Sequence, residues 1–541
     1  MSSAVRKYHA SLFGNEERSD CIIKFTLSRD EADRPSKRRK LGADAEQSDG
    51  GAVGQRLPGH TILLCPGSSF FNSQAERWAS DQPAGARLEL RVPLGSVDDL
   101  PFTQAAIRFI YTDKLDVSGA ADLLNVRRLA SFLGVEGCVE ACGAALLDLA
   151  RAPSAQPLAG VADLYRCRHL LPGPDEDPGA AALLDELYKA CRDQLATNAY
   201  TPERQGCGQA KLGELLAWAF RDAPTALNDS TAKAQALSLS ASALEALLSS
   251  DAFATDDEAS VLLLLAEWLA AKPSTTTEVR TKLCHQIRLC QLSSAYLHAV
   301  MPAIAKTWFP LSKRELSLVH QCASLPSGGT LRERFLELVD ETRTSPLPPA
   351  WFSAPARPKA RSDVGRPNDW TISREALVQV LARATVHESL VPGTFTHGPR
   401  ALVANGFHWH PVVSIARDSE AAGLYLDCHI PPALRVEPYA VEGFASPGLC
   451  RLVVFEWEAA GRPTEAFVYV AGTRGKVGIG IGERWGYPDG LPLAPLQTAE
   501  GRAGATRAAA ASSVEQWERY LHKGQLHGCL TWMAEEEDEE P

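Results

Sequence analysis

Four places in this chain bring side chains of reactive type together, and each would serve a different chemistry. His408 and His410 flank Trp409 at strand spacing, so both imidazoles lie on one face of a strand and could share a metal ion. No third ligand stands near them in the sequence, and two hydrogen-bonded or solvent-facing histidines explain the pattern better. Cys284-His285 and His320-x-Cys322 set a thiol beside an imidazole. A nucleophilic dyad is assembled in space, however, so adjacency along the chain carries little weight. Gly478-Ile479-Gly480-Ile481-Gly482 is as rich in glycine as a phosphate loop. It lacks the G-x-G-x-x-G spacing and the surrounding strand–helix–strand pattern, and reads as a glycine-rich β-turn. No catalytic residue, cofactor site or metal set is expected, and the chain reads as a protein that is not an enzyme.

The elements that would position any site are clearest at residues 238–300. Thr255 and Glu258 have the spacing of a capping box, which predicts a helix starting near Asp256. Val261, Leu262, Leu265, Trp268 and Leu269 fall on one stripe at steps of three and four, and Leu263 and Leu264 widen it until nearly the whole helix is apolar. Such a helix must be covered by neighbours. Ser242 and Glu245 repeat the capping-box spacing before Leu247 and Leu248, so the segment reads as one hairpin of a larger helical array.

Bulk properties bound the class. The 541 residues predict three or four domains, and 45% hydrophobic with 22% charged residues are ordinary globular values. A net charge of −11 argues against wholesale nucleic-acid binding. The 13 cysteines show neither C-x-x-C pairs nor zinc spacing and read as small buried hydrophobes in a reducing compartment. The first residues have no signal-peptide core, and the apolar run Val261 to Ala266 is too short to span a bilayer, so no membrane association is expected.

Beyond about residue 370 the texture turns to strand. Trp370-Thr371-Ile372, Ala401-Leu402-Val403, Phe407 to Ile415, Leu424-Tyr425-Leu426, Leu452 to Trp457 and Phe467 to Val470 are separated by turn residues, the pattern of an antiparallel β-sandwich. Pro411 marks a break or an edge position in its strand. Residues 342–369, rich in Pro, Ala, Arg and Ser, read as an interdomain linker. Residues 30–58 read as a disordered insertion by composition. In it Arg34, Lys37, Arg38, Arg39 and Lys40 suit either a nuclear localisation signal or a solvated charge run.

The ordered succession Leu247-Leu248-Ser249-Ser250-Asp251, acidic cap, long helix with Trp268, then Arg288-Leu289 and Tyr296-Leu297 resembles the BACK domain that follows BTB/POZ domains. Upstream, Ser19-Asp20-Cys21-Ile22-Ile23 resembles the opening BTB strand, and His60 to Leu64 with Ser68-Ser69-Phe70-Phe71 resembles its helix entry. Leu88, Leu90 and Val92 alternate as in a half-buried strand. Phe102 to Ile110 and then Leu123, Val126, Ala130 and Leu133, with Phe132 and Cys138, supply apolar helix stripes. The order Trp-x-Ile, Asn-Gly-Phe-x-Trp-x-Pro-Val-Val, Gly-Leu-Tyr-Leu and Val-Val-Phe-Glu-Trp resembles the MATH (TRAF-like) sandwich, and the whole resembles the plant light-response BTB proteins.

The fold expected is therefore multi-domain α+β. It divides into an N-terminal segment (1–18), a BTB/POZ α/β domain (19–150), an all-α BACK array (151–340), a linker (341–369), a MATH/TRAF-like antiparallel sandwich (370–534) and an acidic tail (535–541). The resemblance implies a BTB homodimer that docks on a cullin-3-type scaffold and a C-terminal domain that recruits a protein target, in nucleus or cytoplasm. The alternative is a BTB scaffold or transcriptional co-regulator working without ubiquitin transfer. Cullin-binding BTB domains usually carry a Met-Phe-like pair a few residues after the Phe-Phe position, then a hydrophobic-x-acidic motif. Here Gln74-Ala75 replaces the pair and Ala79-Ser80-Asp81 is the nearest motif, so Phe71, Trp78 and Asp81 are the expected cullin contacts.

Overall fold

The computed structural model describes residues 3–27, 54, 56–78, 87–152, 158–173, 179–198, 209–326, 330–341, 347–360, 365–383, 389–396, 400–415, 419–437, 441–458, 461–471, 478–493 and 514–533. The chain is α+β and splits into two compact units, Met1–Gln194 and Leu195–Pro541. Residues 151–194, expected in the helical array, thus belong with the first unit. Among the described residues, no helix is long and apolar enough to cross a membrane.

Unit 1 is built on a three-stranded sheet. Strand β1 (Cys21–Leu27) lies between β2 (Leu57–Gly59), antiparallel to it, and β3 (Leu88–Leu94), parallel to it with Cys21 opposite Leu88. The alternation expected for β3 is present: Leu90, Val92 and Leu94 are buried while Arg91 and Pro93 are exposed. Parallel strands need a long crossover, here the helices Thr61–Gly67 and Ser69–Trp78. Ile23, Phe25, Leu64, Phe71, Ile107, Val126, Leu133 and Cys138 close one continuous core over the sheet. Phe132 departs from expectation. It is 51% exposed, because one residue step turns a helix by about 100° and carries it off the stripe that buries Leu133.

The helices of unit 2 wrap around Glu258–Ala271, in which Val261 to Leu265 are fully buried. Trp268 donates from Nε1 to the Leu239 carbonyl at 2.9 Å, and Lys272 lies over its ring. The caps differ from the sequence reading. Asp257, not Thr255, caps this helix by accepting from the Ala259 N–H, and Ser240, not Ser242, caps Ala241–Ser249 by accepting from the Ala243 N–H. Glu258 and Glu245 are thereby freed for ion pairs, Glu258 with Arg357 and Glu245 with Lys282.

The described part of the expected linker is packed. Trp351 and Phe352 are buried, and Trp351 donates to the Cys284 carbonyl at 3.0 Å. Arg357 is wholly buried. Its Nε lies 2.8 Å from Glu258, and its other nitrogens donate to the carbonyls of Ser250 and Leu248 at the end of the helix Ala241–Ser249. A guanidinium there completes orphan helix carbonyls and meets the negative end of the helix dipole. Thr255 then pairs with 358–360 as a short parallel bridge.

The strands of unit 2 are β4 (Pro367–Ser373), β5 (Ser389–Pro392), β6 (Thr394–Phe395), β7 (Leu402–Ala404), β8 (Phe407–Ile415), β9 (Ala421–His429), β10 (Phe444–Ala445), β11 (Cys450–Trp457), β12 (Pro463–Ala471), β13 (Ile479–Gly480), β14 (Arg484–Pro492), β15 (Leu521–His522) and β16 (Gln525–Trp532). One sheet runs β12-β11-β16-β4-β6 with β15 beside β16. A second runs β14-β9-β8-β5 with β7 beside β8, and β10 pairs with β13. Neighbours among these described strands are antiparallel. Every expected strand is found, while β5, β6, β10, β13, β14, β15 and β16 were not read from the sequence. Pro411 sits inside β8 where its partner on one side changes from β7 to β5, the position where a missing N–H costs least.

Candidate functional site

Local chemistry sets the exposed face of unit 1. Asp20, at the entry to β1, accepts from the backbone N–H of Thr61 at 2.8 Å and so caps the helix Thr61–Gly67. His60 is held between Tyr111 and the Glu17 carbonyl. Ser68 donates to the Leu133 carbonyl at 2.5 Å and accepts from the Phe71 N–H, which starts the helix Ser69–Trp78 against the 133–136 turn. This turn accepts and gives further bonds, from Ser69 to Gly134 and from Glu136 to Gly67.

Phe71 is a correction. It is 0% exposed and supports this face from beneath, so no partner can touch it in this conformation. The aromatic surface is provided by its neighbour: half-buried Phe70 packs against exposed Phe132 with ring centroids 5.4 Å apart. Trp78 ends the helix Ser69–Trp78, and Asp81 lies outside the described residues, as does the basic run 34–40. A largely apolar groove of about 610 Å³ runs between the helices Ala120–Leu133 and Cys138–Arg151 and the start of Ala180–Asn198, lined by Val135, Val139, Leu147 and Leu183 among others. The groove was not legible, because one of its walls, the start of the helix Ala180–Asn198, comes from further along the chain.

Gln74 stands where a Met-Phe-like pair was compared. Its side-chain amide donates to the Arg91 carbonyl at 2.6 Å and accepts from the Arg91 N–H at 2.9 Å. An amide thereby completes the ladder at the free edge of β3, a position open to strand pairing.

In unit 2 the Asn405-Gly406 turn between β7 and β8 is clamped by helices. Asp256 accepts from the Asn405 N–H, Ser260 accepts from the Gly406 N–H at 3.0 Å, and Tyr296 donates to the Gly406 carbonyl. Asn228 exchanges two further bonds with Val403, at 2.7 and 2.9 Å. Both turn residues have positive φ, 50° and 79°, as a type I′ hairpin requires. Burial raises the carboxyl of Asp256, opposed by its hydrogen bonds, and lifts Asp257 to about 7.

The tempting histidines and cysteines have other partners. His285 meets Trp351 edge-on, while burial holds the Cys284 thiol up near 12, far from a thiolate. His320 contacts the Leu297 carbonyl. Gly480 is paired with Phe444 in a short ladder, and the turn from β13 into β14 passes through Gly482. His408 and His410 do share a face, with His429 opposite His408 and Asp427 opposite His410. Burial and neighbouring cations push His408 down to about 4 and lower His410. Among the described residues, no group of three side chains is placed to hold a metal ion.

Residues 210–302 match the model of the BACK family, described as BTB And C-terminal Kelch. The match runs from the helix Gln209–Phe220 to the π-turn Tyr296–Val300, so the helical part of unit 2 carries a BACK domain. No curated protein matches the chain.

Proposed function

We propose that this protein is an adaptor of a cullin-3-type ubiquitin ligase. Unit 1 is a BTB/POZ module that self-associates and docks on the cullin, and the C-terminal sheets form a MATH (TRAF-like) module that recruits a protein target, as in plant light-response BTB proteins. The observation that carries this reading is the BACK match at 210–302, since BACK domains accompany BTB adaptors. The parallel β1–β3 pair with its crossover helices and the Phe70–Phe132 surface support it. The adaptor performs no bond chemistry and needs no cofactor; it raises the effective concentration of the target near the ubiquitin-carrying enzyme. Trp78 and Asp81 contact the cullin, with Phe70 and Phe132 taking the place first given to Phe71. Purified full-length chain mixed with cullin-3 should co-elute as a complex, and Trp78→Ala with Asp81→Lys should abolish the complex while circular dichroism stays unchanged. Wild-type chain that never co-elutes overturns the reading.

One observation favours the second reading, a scaffold or co-regulator without ubiquitin transfer. Gln74 spends its amide on Arg91 within the chain, where cullin-binding relatives present an apolar pair. The same purification decides between them.

A further inference from the structure

In unit 2 strands β7 and β8 meet the helices Ala223–Asn228, Ser230–Ser238 and Glu258–Ala271 around a cavity of about 690 Å³. Leu227, Val403 and Pro432 give it apolar walls. Its polar groups are unevenly matched. Lys233 and Glu267 neutralise each other at 2.6 Å. Arg400, at the exposed rim, has no ion-pair partner among the described residues, and the His408 ring has no hydrogen-bond partner there either. His408 is surrounded by positive or ionisable nitrogen groups, namely His410, Lys233, His429 and Arg435, which with burial keep it neutral. A neutral imidazole can still donate one N–H. The cavity therefore offers one uncompensated cation, one idle imidazole donor and an apolar wall, in a volume typical of sites that hold a few side chains.

We propose that this cavity is a binding site for a protein partner's peptide segment in which an aspartate or glutamate stands beside an aliphatic or aromatic residue. The carboxylate meets Arg400 and His408, and the apolar side chain fills the wall formed by Leu227, Val403 and Pro432. A polyanion such as nucleic acid fits less well, because Glu267 lines the cavity and the chain carries a net charge of −11. The proposal rests on the adaptor reading for its meaning, since it states where a target is held, but it needs no cullin for its test.

The test is selection of a random heptapeptide library displayed on phage against the immobilised full-length chain, with no cullin present. Sequences with Asp or Glu next to Leu, Ile, Val or Phe should be enriched. A synthetic peptide with the enriched sequence should bind at least tenfold more weakly to Arg400→Glu and to His408→Phe, with the thermal unfolding of Arg400→Glu unchanged. Enrichment without acidic residues, or acidic peptides whose affinity ignores both substitutions, overturns the proposal. Enrichment that appears only after residues 535–541 are deleted also overturns it, because the site would then serve the chain's own acidic end. Failure here leaves cullin co-elution untouched, so the two ideas fall separately.

Discussion

His408 is the residue whose chemistry is most displaced by its surroundings. Its folded value near 4 lies below the ordinary 6.5, so between those values the unfolded chain holds a proton that the folded chain does not. Stability is full above about 6.5 and is lost as pH falls toward 4. Asp257, raised to about 7, acts in the opposite sense and costs stability as pH rises from its ordinary 3.8. His408→Phe should therefore raise the urea midpoint at pH 5 relative to that at pH 7.5, because it removes only the acid-side loss; a pH 5 midpoint that does not rise relative to the pH 7.5 one contradicts this. Gly406 is as strictly placed. A methyl there would come within 2.5 Å of the Ala259 side chain, at a φ of +79°. The left-handed backbone alone costs a non-glycine residue about 1–2 kcal/mol, so Gly406→Ala should lower the unfolding free energy by at least that amount in urea melts. The Asn-Gly pair was visible in the sequence just before the strand that starts at Phe407. Its clamping by Asp256, Ser260 and Tyr296 was not, because those partners lie more than a hundred residues upstream.

The helix Glu258–Ala271 and the segment 347–360 show how far local pattern reaches. Periodicity located the helix to within two residues, since Val261 to Trp268 must be covered wherever the chain leads them. It misassigned the cap, because Thr255 and Glu258 have the correct spacing but Arg357 claims the glutamate. Proline and arginine content suggested a linker at 342–369. The adjacent Trp351-Phe352 was the contrary signal, as two large aromatics in a free linker would expose apolar surface to water. Removing one partner of a buried ion pair strands the other charge and costs about 3–5 kcal/mol. Arg357→Ala should lose a stability of that order in chemical denaturation of the full chain. A loss below about 1 kcal/mol would mean that the segment is not held as described. In the C-terminal sheets, strands rich in β-branched and aromatic residues were legible, whereas β14, with Gly486, Pro488 and Gly490, was hidden by turn-like composition.

For the whole molecule, sequence order alone made the BACK succession visible, and the family match at 210–302 agrees with it. The partition into units was harder to read, because it depends on contacts such as those joining the Asn405-Gly406 turn to the helices of unit 2. We propose that the basic run 34–40 acts as a nuclear localisation signal. Replacing Lys37, Arg38, Arg39 and Lys40 by alanine should move a fluorescent fusion of the full chain from nucleus to cytoplasm, and an unchanged distribution would remove the nuclear assignment. The central claim is that the chain joins a cullin to a target. Its most direct test is affinity purification of the tagged full-length protein from cells, with cullin-3 quantified against the Trp78→Ala, Asp81→Lys variant. The account predicts cullin-3 in the wild-type eluate and its loss with the variant; cullin-3 absent from both, or present equally in both, would contradict it.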